Sequence, residues 1–76
     1  TKIKEDDIFA WFYLGVCNTQ KKDYQKAVDI YENKVLMLDP ENIDAMTNLA
    51  YVYREMGNNK KALEWLTKAE KLQKEQ

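Results

Sequence analysis

The chain has 76 residues, 45% hydrophobic and 33% charged, with 12 basic against 13 acidic side chains and a net charge of −1. That length and composition fit one small domain with its own core and exclude an intrinsically disordered segment. The near-balanced charge leaves no electrostatic footprint for nucleic acid or an anionic membrane. The apolar run from Ile8 to Cys17 is far shorter than the roughly 20 residues that cross a bilayer, and it lacks the basic lead and cleavage site of a secretory leader. Cys17 stands alone, so it forms no internal disulfide and fits a reducing, cytoplasmic setting.

Helix formers dominate and strand-like alternation is absent, so the fold class is all-α. The first helix is expected over about Asp7 to Lys21, with Asp6 or Asp7 as its cap. The second runs from about Tyr24 to Leu38, with Asp23 able to cap it. It stops at Asp39-Pro40, because a residue before proline avoids helical geometry. Asn42 caps a third helix over about Ile43 to Met56, and Gly57 supplies the left-handed residue that closes it. The fourth runs from about Lys60 to Lys74, with Glu64–Lys68 and Glu70–Lys74 ordered as favourable pairs four apart. Turns this short force each pair of helices antiparallel. Small residues stand where the helices of a pair cross, Gly15 and Ala27 in one and Ala50 and Ala62 in the other. Lys22 occupies the turn position that Gly57 holds in the second pair; a left-handed backbone there costs on the order of 1 kcal/mol relative to glycine.

The two pairs echo each other. Ile8, Ala10, Leu14, Lys26 and Ala27 recur 35 residues on as Ile43, Ala45, Leu49, Lys61 and Ala62. Beyond them the spacing falls to 34, with Lys34, Leu38 and Glu41 answered by Lys68, Leu72 and Glu75. A period of this size marks an array of stacked units. The step from 35 to 34 places one additional residue near Asn33, which should bulge the helix or shift its phase.

Trp11, Leu14, Gly15, Ala27, Tyr31 and Pro40, answered by Met46, Leu49, Ala50, Tyr53, Ala62 and Leu66, resemble the signature of the tetratricopeptide repeat. The likeness covers Ile8 to about Lys74, as a first repeat over about 8–41 and a second over about 43–76 in one domain spanning 1–76. Asn18 stands where the family carries a tyrosine, and Lys74 where it carries a proline. The resemblance implies two stacked antiparallel helix–turn–helix pairs, a fragment of an α-solenoid. It also implies a non-enzymatic protein-interaction scaffold whose groove is lined by the first helix of each pair.

On the first helix, Phe9, Phe12, Tyr13 and Val16 form a second apolar stripe beside that of Trp11, Leu14, Gly15 and Asn18. A helix apolar on most sides needs cover beyond its partner. Three covers are open: an apolar or aromatic peptide or protein, a second copy of the chain in a homo-oligomer, and an adjoining repeat. The matching face of the third helix is polar, with Asp44, Thr47, Asn48, Tyr51, Arg54 and Glu55. Asn48 matches an asparagine with which many groove-binding relatives hold a ligand backbone, since an amide both donates and accepts. Relatives that clamp the C-terminal carboxylate of heat-shock chaperones need a lysine where Phe12 stands and an asparagine where Val16 stands, so that activity does not fit. The expected partner-binding residues are Phe9, Phe12, Tyr13, Val16, Asn48, Tyr51 and Arg54. On the fourth helix Ala62, Leu66 and Ala69 can pack inward, while Leu63, Trp65 and Leu72 are the expected self-association residues.

Enzyme chemistry is not expected. The chain has no histidine, and Cys17 lies in an apolar helix without a base to activate it, so it is read as a small core residue. Asp39, Glu41 and Asp44 lack the spacing and glycine of a calcium loop and suit helix stopping and capping. No phosphate loop occurs, and no cofactor or metal is expected.

Overall fold

The computed structural model describes residues 6–75; residues 1–5 and 76 of the expected domain lie outside the described residues. Helix α1 spans Ile8–Gln20, α2 Tyr24–Ile30 and the short α3 Leu36–Leu38, with a π turn over Tyr31–Val35 joining the last two. Helices α4, Ile43–Glu55, and α5, Asn59–Glu75, form the second antiparallel pair, stacked on the first.

The two pairs are tied off by the same backbone bonds. Lys22 N–H donates to the Thr19 carbonyl and Asp23 N–H to that of Asn18; 35 residues on, Gly57 donates to Arg54 and Asn58 to Tyr53. This is the helix-ending motif that needs a left-handed residue at its centre. Gly57 takes it at φ +86°, and Lys22, with a Cβ, is held there too at φ +66°. The turn is therefore not reshaped for lack of glycine. The helix starts match as well: Asp7 Oδ1 accepts from Ala10 N–H at 3.1 Å and Asn42 Oδ1 from Ala45 N–H at 2.9 Å. Asn58 Oδ1 likewise accepts from Lys61 N–H. Asp23, the counterpart of Asn58, departs from expectation: it occupies the cap position of α2, but its side chain makes no capping bond, and its backbone carbonyl alone starts the helix. Lys68, expected to pair with Glu64, instead holds its Nζ 5.3 Å from the centre of the Trp65 ring.

The π turn surrounds Asn33. Its wider loop absorbs one residue, so the chain beyond it keeps facing the core. Tyr31 and Val35, four apart, are both fully buried. In the uninterrupted α5 the corresponding Leu66 and Ala69 are three apart. Without the π turn, Val35 would rotate by about 100° away from the position that Ala69 holds.

The core joins Ala27, Val28, Ile30, Tyr31 and Val35 of the first pair to Ala45, Leu49, Val52, Tyr53 and Ala62 of the second. Tyr31 crosses between them. A Cβ added to Gly15 would lie 2.8 Å from Cε1 and Cζ of the Tyr31 ring, so only glycine admits that ring against α1. In the second pair the same positions are Ala50 and Leu66: the larger backbone residue meets the smaller side chain.

Two outcomes follow from this packing. Lys22→Gly relieves a left-handed residue and should raise stability by about 1 kcal/mol in urea unfolding. Gly15→Ala should lower stability by about 1–3 kcal/mol despite its better helix propensity, through overpacking against Tyr31. In a Tyr31→Leu background, which copies the Ala50–Leu66 pairing, Gly15→Ala should cost nothing. A double-mutant cycle that showed the two sites additive would contradict the close approach.

Candidate functional site

The partner-binding residues that sequence reasoning singled out lie on α1 and α4. Phe9 is 83% and Tyr13 70% exposed, whereas Phe12 and Val16 are half-buried. Phe12 meets the Tyr31 ring edge-on at 5.7 Å, so it is partly structural. Ile8, Phe9 and Phe12 of α1 and Asn42 and Asp44 at the start of α4 enclose an open hollow of about 160 Å³. Tyr51 and Arg54 do not belong to it. They line a second hollow, of about 190 Å³, with Thr47, Ala50, Ala62 and Leu66, and the Arg54 guanidinium sits 5.6 Å from the Tyr51 ring centre. Of the seven expected binding residues, Phe9 and Phe12 line one hollow, Tyr51 and Arg54 the other, and Tyr13, Val16 and Asn48 neither.

Asn48 lies between them, half-buried, and its Nδ2 donates to the Tyr31 hydroxyl at 3.2 Å. One amide N–H is therefore used inside the protein. The Tyr31 phenol is pushed up, chiefly by burial, against the lowering effect of its bonds to Asn48 and Thr19. Tyr13 is also raised, by its bond to the Cys17 thiol one turn on. Cys17 itself is half-buried, at the margin of the core and not within it. On α5, Leu63 is 65% exposed and Leu66, expected to pack inward, is 41% exposed, because none of the described residues covers that side of the helix. Trp65 and Leu72 are half-buried, Trp65 against the core.

A second polar link escaped the sequence. Tyr53 OH donates to Glu32 Oε2, joining α4 to the π turn, with Lys61 Nζ 5.7 Å from the Tyr53 ring centre. Burial, then the bond to Glu32, then the charges of Glu32 and Asp29 push the Tyr53 phenol far above its ordinary value. Its only trace in the sequence is a tyrosine and a glutamate 21 positions apart, a distance that helix periodicity cannot connect. Asn18, buried where the family carries tyrosine, donates its Nδ2 to the Leu14 carbonyl at 2.9 Å and so stays within its own helix. Asp39 Oδ1 accepts from Glu41 N–H, and Asn42 N–H donates to the Asp39 carbonyl; these bonds suit helix stopping.

The Tyr53 phenol sets a pH dependence. Its folded pKa is above its unfolded value of about 10, so its contribution is fully present below pH 10 and lost as pH rises beyond that. Tyr53→Phe should lower stability at pH 7 by roughly 1 kcal/mol, since half-buried Glu32 can rehydrate in part. It should also flatten the alkaline fall in stability. Tyr24, Tyr31 and Tyr13 are raised too, so some slope remains. Unfolding at pH 8 to 11 with exposed Tyr51→Phe as control checks this, and an unchanged alkaline slope would contradict it.

No described helix is long and apolar enough to cross a membrane. Comparison with known proteins returns the same architecture. The family model described as "Tetratricopeptide repeat" matches residues 19–76. The chain is 35% identical over 65 residues to "Protein CTR9 homolog" of Arabidopsis thaliana, covering 86% of this chain and 6% of that protein. It is 36% identical over 67 residues to "Peroxisomal targeting signal receptor" of Saccharomyces cerevisiae, covering 88% of this chain and 11% of that protein. The chain thus corresponds to a small part of the length of each relative. With the left-handed turns, the small crossing residues and the stacked pairs, these matches place the chain in the tetratricopeptide repeat family, whose members are protein-interaction modules.

Proposed function

We propose that the chain is a non-catalytic module that binds an extended protein segment along the α1–α4 face, with one apolar or aromatic side chain seated in the hollow between Phe9 and Asp44. The observation that carries this reading is the hollow itself. Its Ile8, Phe9 and Phe12 wall is apolar, its Asn42 and Asp44 wall polar, and its volume of about 160 Å³ suits a single side chain. Small-molecule sites are larger, about 300–1,000 Å³. Phe9 stands open beside the hollow, available as a contact that loses water on binding. Asp44 at its rim favours a cationic residue next to the anchor. Asn48 spends Nδ2 on Tyr31 and keeps Oδ1 for a ligand backbone N–H. One relative is by its name a receptor for a targeting signal, which supports recognition of a short segment. The lack of histidine and the family's interaction role support a non-enzymatic reading and a need for no cofactor.

Peptides selected from a random displayed library should converge on an aromatic or large aliphatic residue flanked by lysine or arginine. Phe9→Ala should weaken a selected peptide about tenfold by fluorescence anisotropy with unchanged thermal unfolding, because Phe9 is 83% exposed. Asp44→Lys should remove the preference for the basic neighbour. Selected peptides indifferent to both substitutions would overturn the reading. Phe12→Asp is the poorer probe, since it also removes the contact with Tyr31.

A further inference from the structure

We propose that a second copy of this chain docks its α1 into the hollow between α4 and α5, so that copies associate head to tail. This goes beyond segment binding at the Phe9–Asp44 hollow and rests on different residues.

The repeat offset carries the argument. The second hollow is lined by Thr47, Ala50, Tyr51, Arg54, Ala62 and Leu66. Each stands 35 positions after a residue of the first pair: Phe12, Gly15, Val16, Thr19, Ala27 and Tyr31. In the first pair three of that set, Phe12, Ala27 and Tyr31, already seat a helix, sharing the core with Ala45, Leu49 and Val52 of α4. Tyr31 lies over Gly15 with Phe12 at its edge, and α4 closes on it through the bond from Asn48 to the Tyr31 hydroxyl. The hollow on α4 and α5 is the equivalent place one repeat on, open among the described residues. It continues an interface that the molecule already contains.

The helix that fits must resemble α4 on the side α4 turns to the first pair, which includes Ala45, Asn48, Leu49 and Val52. The equivalents 35 positions earlier are Ala10, Tyr13, Leu14 and Cys17, all on α1. Where Ala45 and Val52 are wholly buried, Ala10 and Cys17 are half-buried and Tyr13 is 70% exposed. Among the described residues, helix α1 thus leaves partly exposed the face that α4 buries.

The sizes are also complementary. Inside the chain a small side chain on the incoming helix, Asn48, meets a large one in the seat, Tyr31. Between copies the order reverses: a large Tyr13 meets a shorter Leu66, whose truncation relative to Tyr31 helps leave the space of about 190 Å³. Volume-conserving exchanges are the kind that packed interfaces tolerate. Arg54 lines the hollow and carries a guanidinium that can donate to the Tyr13 phenol oxygen. Residues Ile8–Gln20 carry no charge, so nothing on α1 repels Arg54.

Because the two faces differ, each junction leaves one α1 and one hollow free, and association does not close at a dimer. Light scattering during size-exclusion chromatography should show the parent's mass rising beyond two chains with concentration. Tyr13→Glu and Leu66→Glu should each weaken association at least tenfold, because each places a charge in an apolar junction. Mixed one to one, they should recover a species of two chains and stop there. In that species the intact Tyr13 of one variant meets the intact Leu66 hollow of the other. Far-UV circular dichroism matching the parent shows that each variant folds; if either loses helicity, Tyr13→Ser and Leu66→Ser repeat the test. A parent that is monomeric at millimolar concentration, single variants that associate like the parent, or a mixture that stays monomeric would each overturn the proposal. Peptide capture, read through Phe9→Ala, is unaffected by any of these outcomes.

Discussion

The ring of Tyr31 is the contact on which the rest of the molecule depends. It rests on a backbone position that admits no Cβ, is met at its edge by Phe12, and accepts from Asn48 on the next pair. One side chain therefore sets the closeness of α1 to the second helix and the seating of α4 on both. The π turn begins at this residue, so the inserted position is absorbed downstream of the hub and leaves it undisturbed. Had the extra residue fallen before Tyr31, the ring would have turned away from Gly15 by about 100°, and the crossing would have lost its reason for a glycine.

The π turn also decides where the second link can form. Glu32, the residue after Tyr31, lies within the wider turn and reaches Tyr53 on α4. Tyr31 and Glu32 thus engage α4 at Asn48 and Tyr53, positions more than one helical turn apart. Two polar bonds at separate points fix how far α4 slides along the first pair. Apolar packing alone, being non-directional, leaves that distance soft. In this register Phe9 of α1 and Asp44 of α4 line one hollow.

Much of this architecture was legible in the sequence, for physical reasons that also explain what was not. Capping residues and the left-handed turns recur because every helical pair must satisfy its free backbone groups, so Asp7 and Asn42, or Lys22 and Gly57, announce themselves by position. The small residues at the crossings recur because each pair must approach closely. The bonds between pairs have no such echo. The counterparts of Asn48 and Tyr31 are Tyr13 and Leu66, and those of Tyr53 and Glu32 are Asn18 and Thr67, which share none of their chemistry. A link made once in the molecule gives a repeat-based reading nothing to align. Asp23 fails in the opposite sense: the sequence offers a capping side chain, and the Asn18 carbonyl and backbone bonds already hold that turn. For the candidate site, the sequence assigned residues to helix faces and not to a place. Periodicity assigns a residue to a face, whereas the division into two hollows depends on which residues of α1 and α5 stand beside α4.

The unrepeated bonds bear on how strongly copies can associate. Within the chain, stacking of one pair on the next combines apolar burial with the Asn48–Tyr31 and Tyr53–Glu32 links. A junction between copies keeps the apolar part but presents Asn18 opposite Thr67 where Tyr53 meets Glu32, and Asn18 already spends its amide on the Leu14 carbonyl. It also bears the loss of translational and rotational freedom that covalent connection spares the internal stack, several kcal/mol by usual estimates. The proposed association through the α4–α5 hollow would therefore be weaker than the internal stacking it copies and would respond to concentration. A chain built this way presents α1 and its hollow to whichever matching helix is most abundant or most closely tethered, and effective concentration becomes the quantity that decides the outcome.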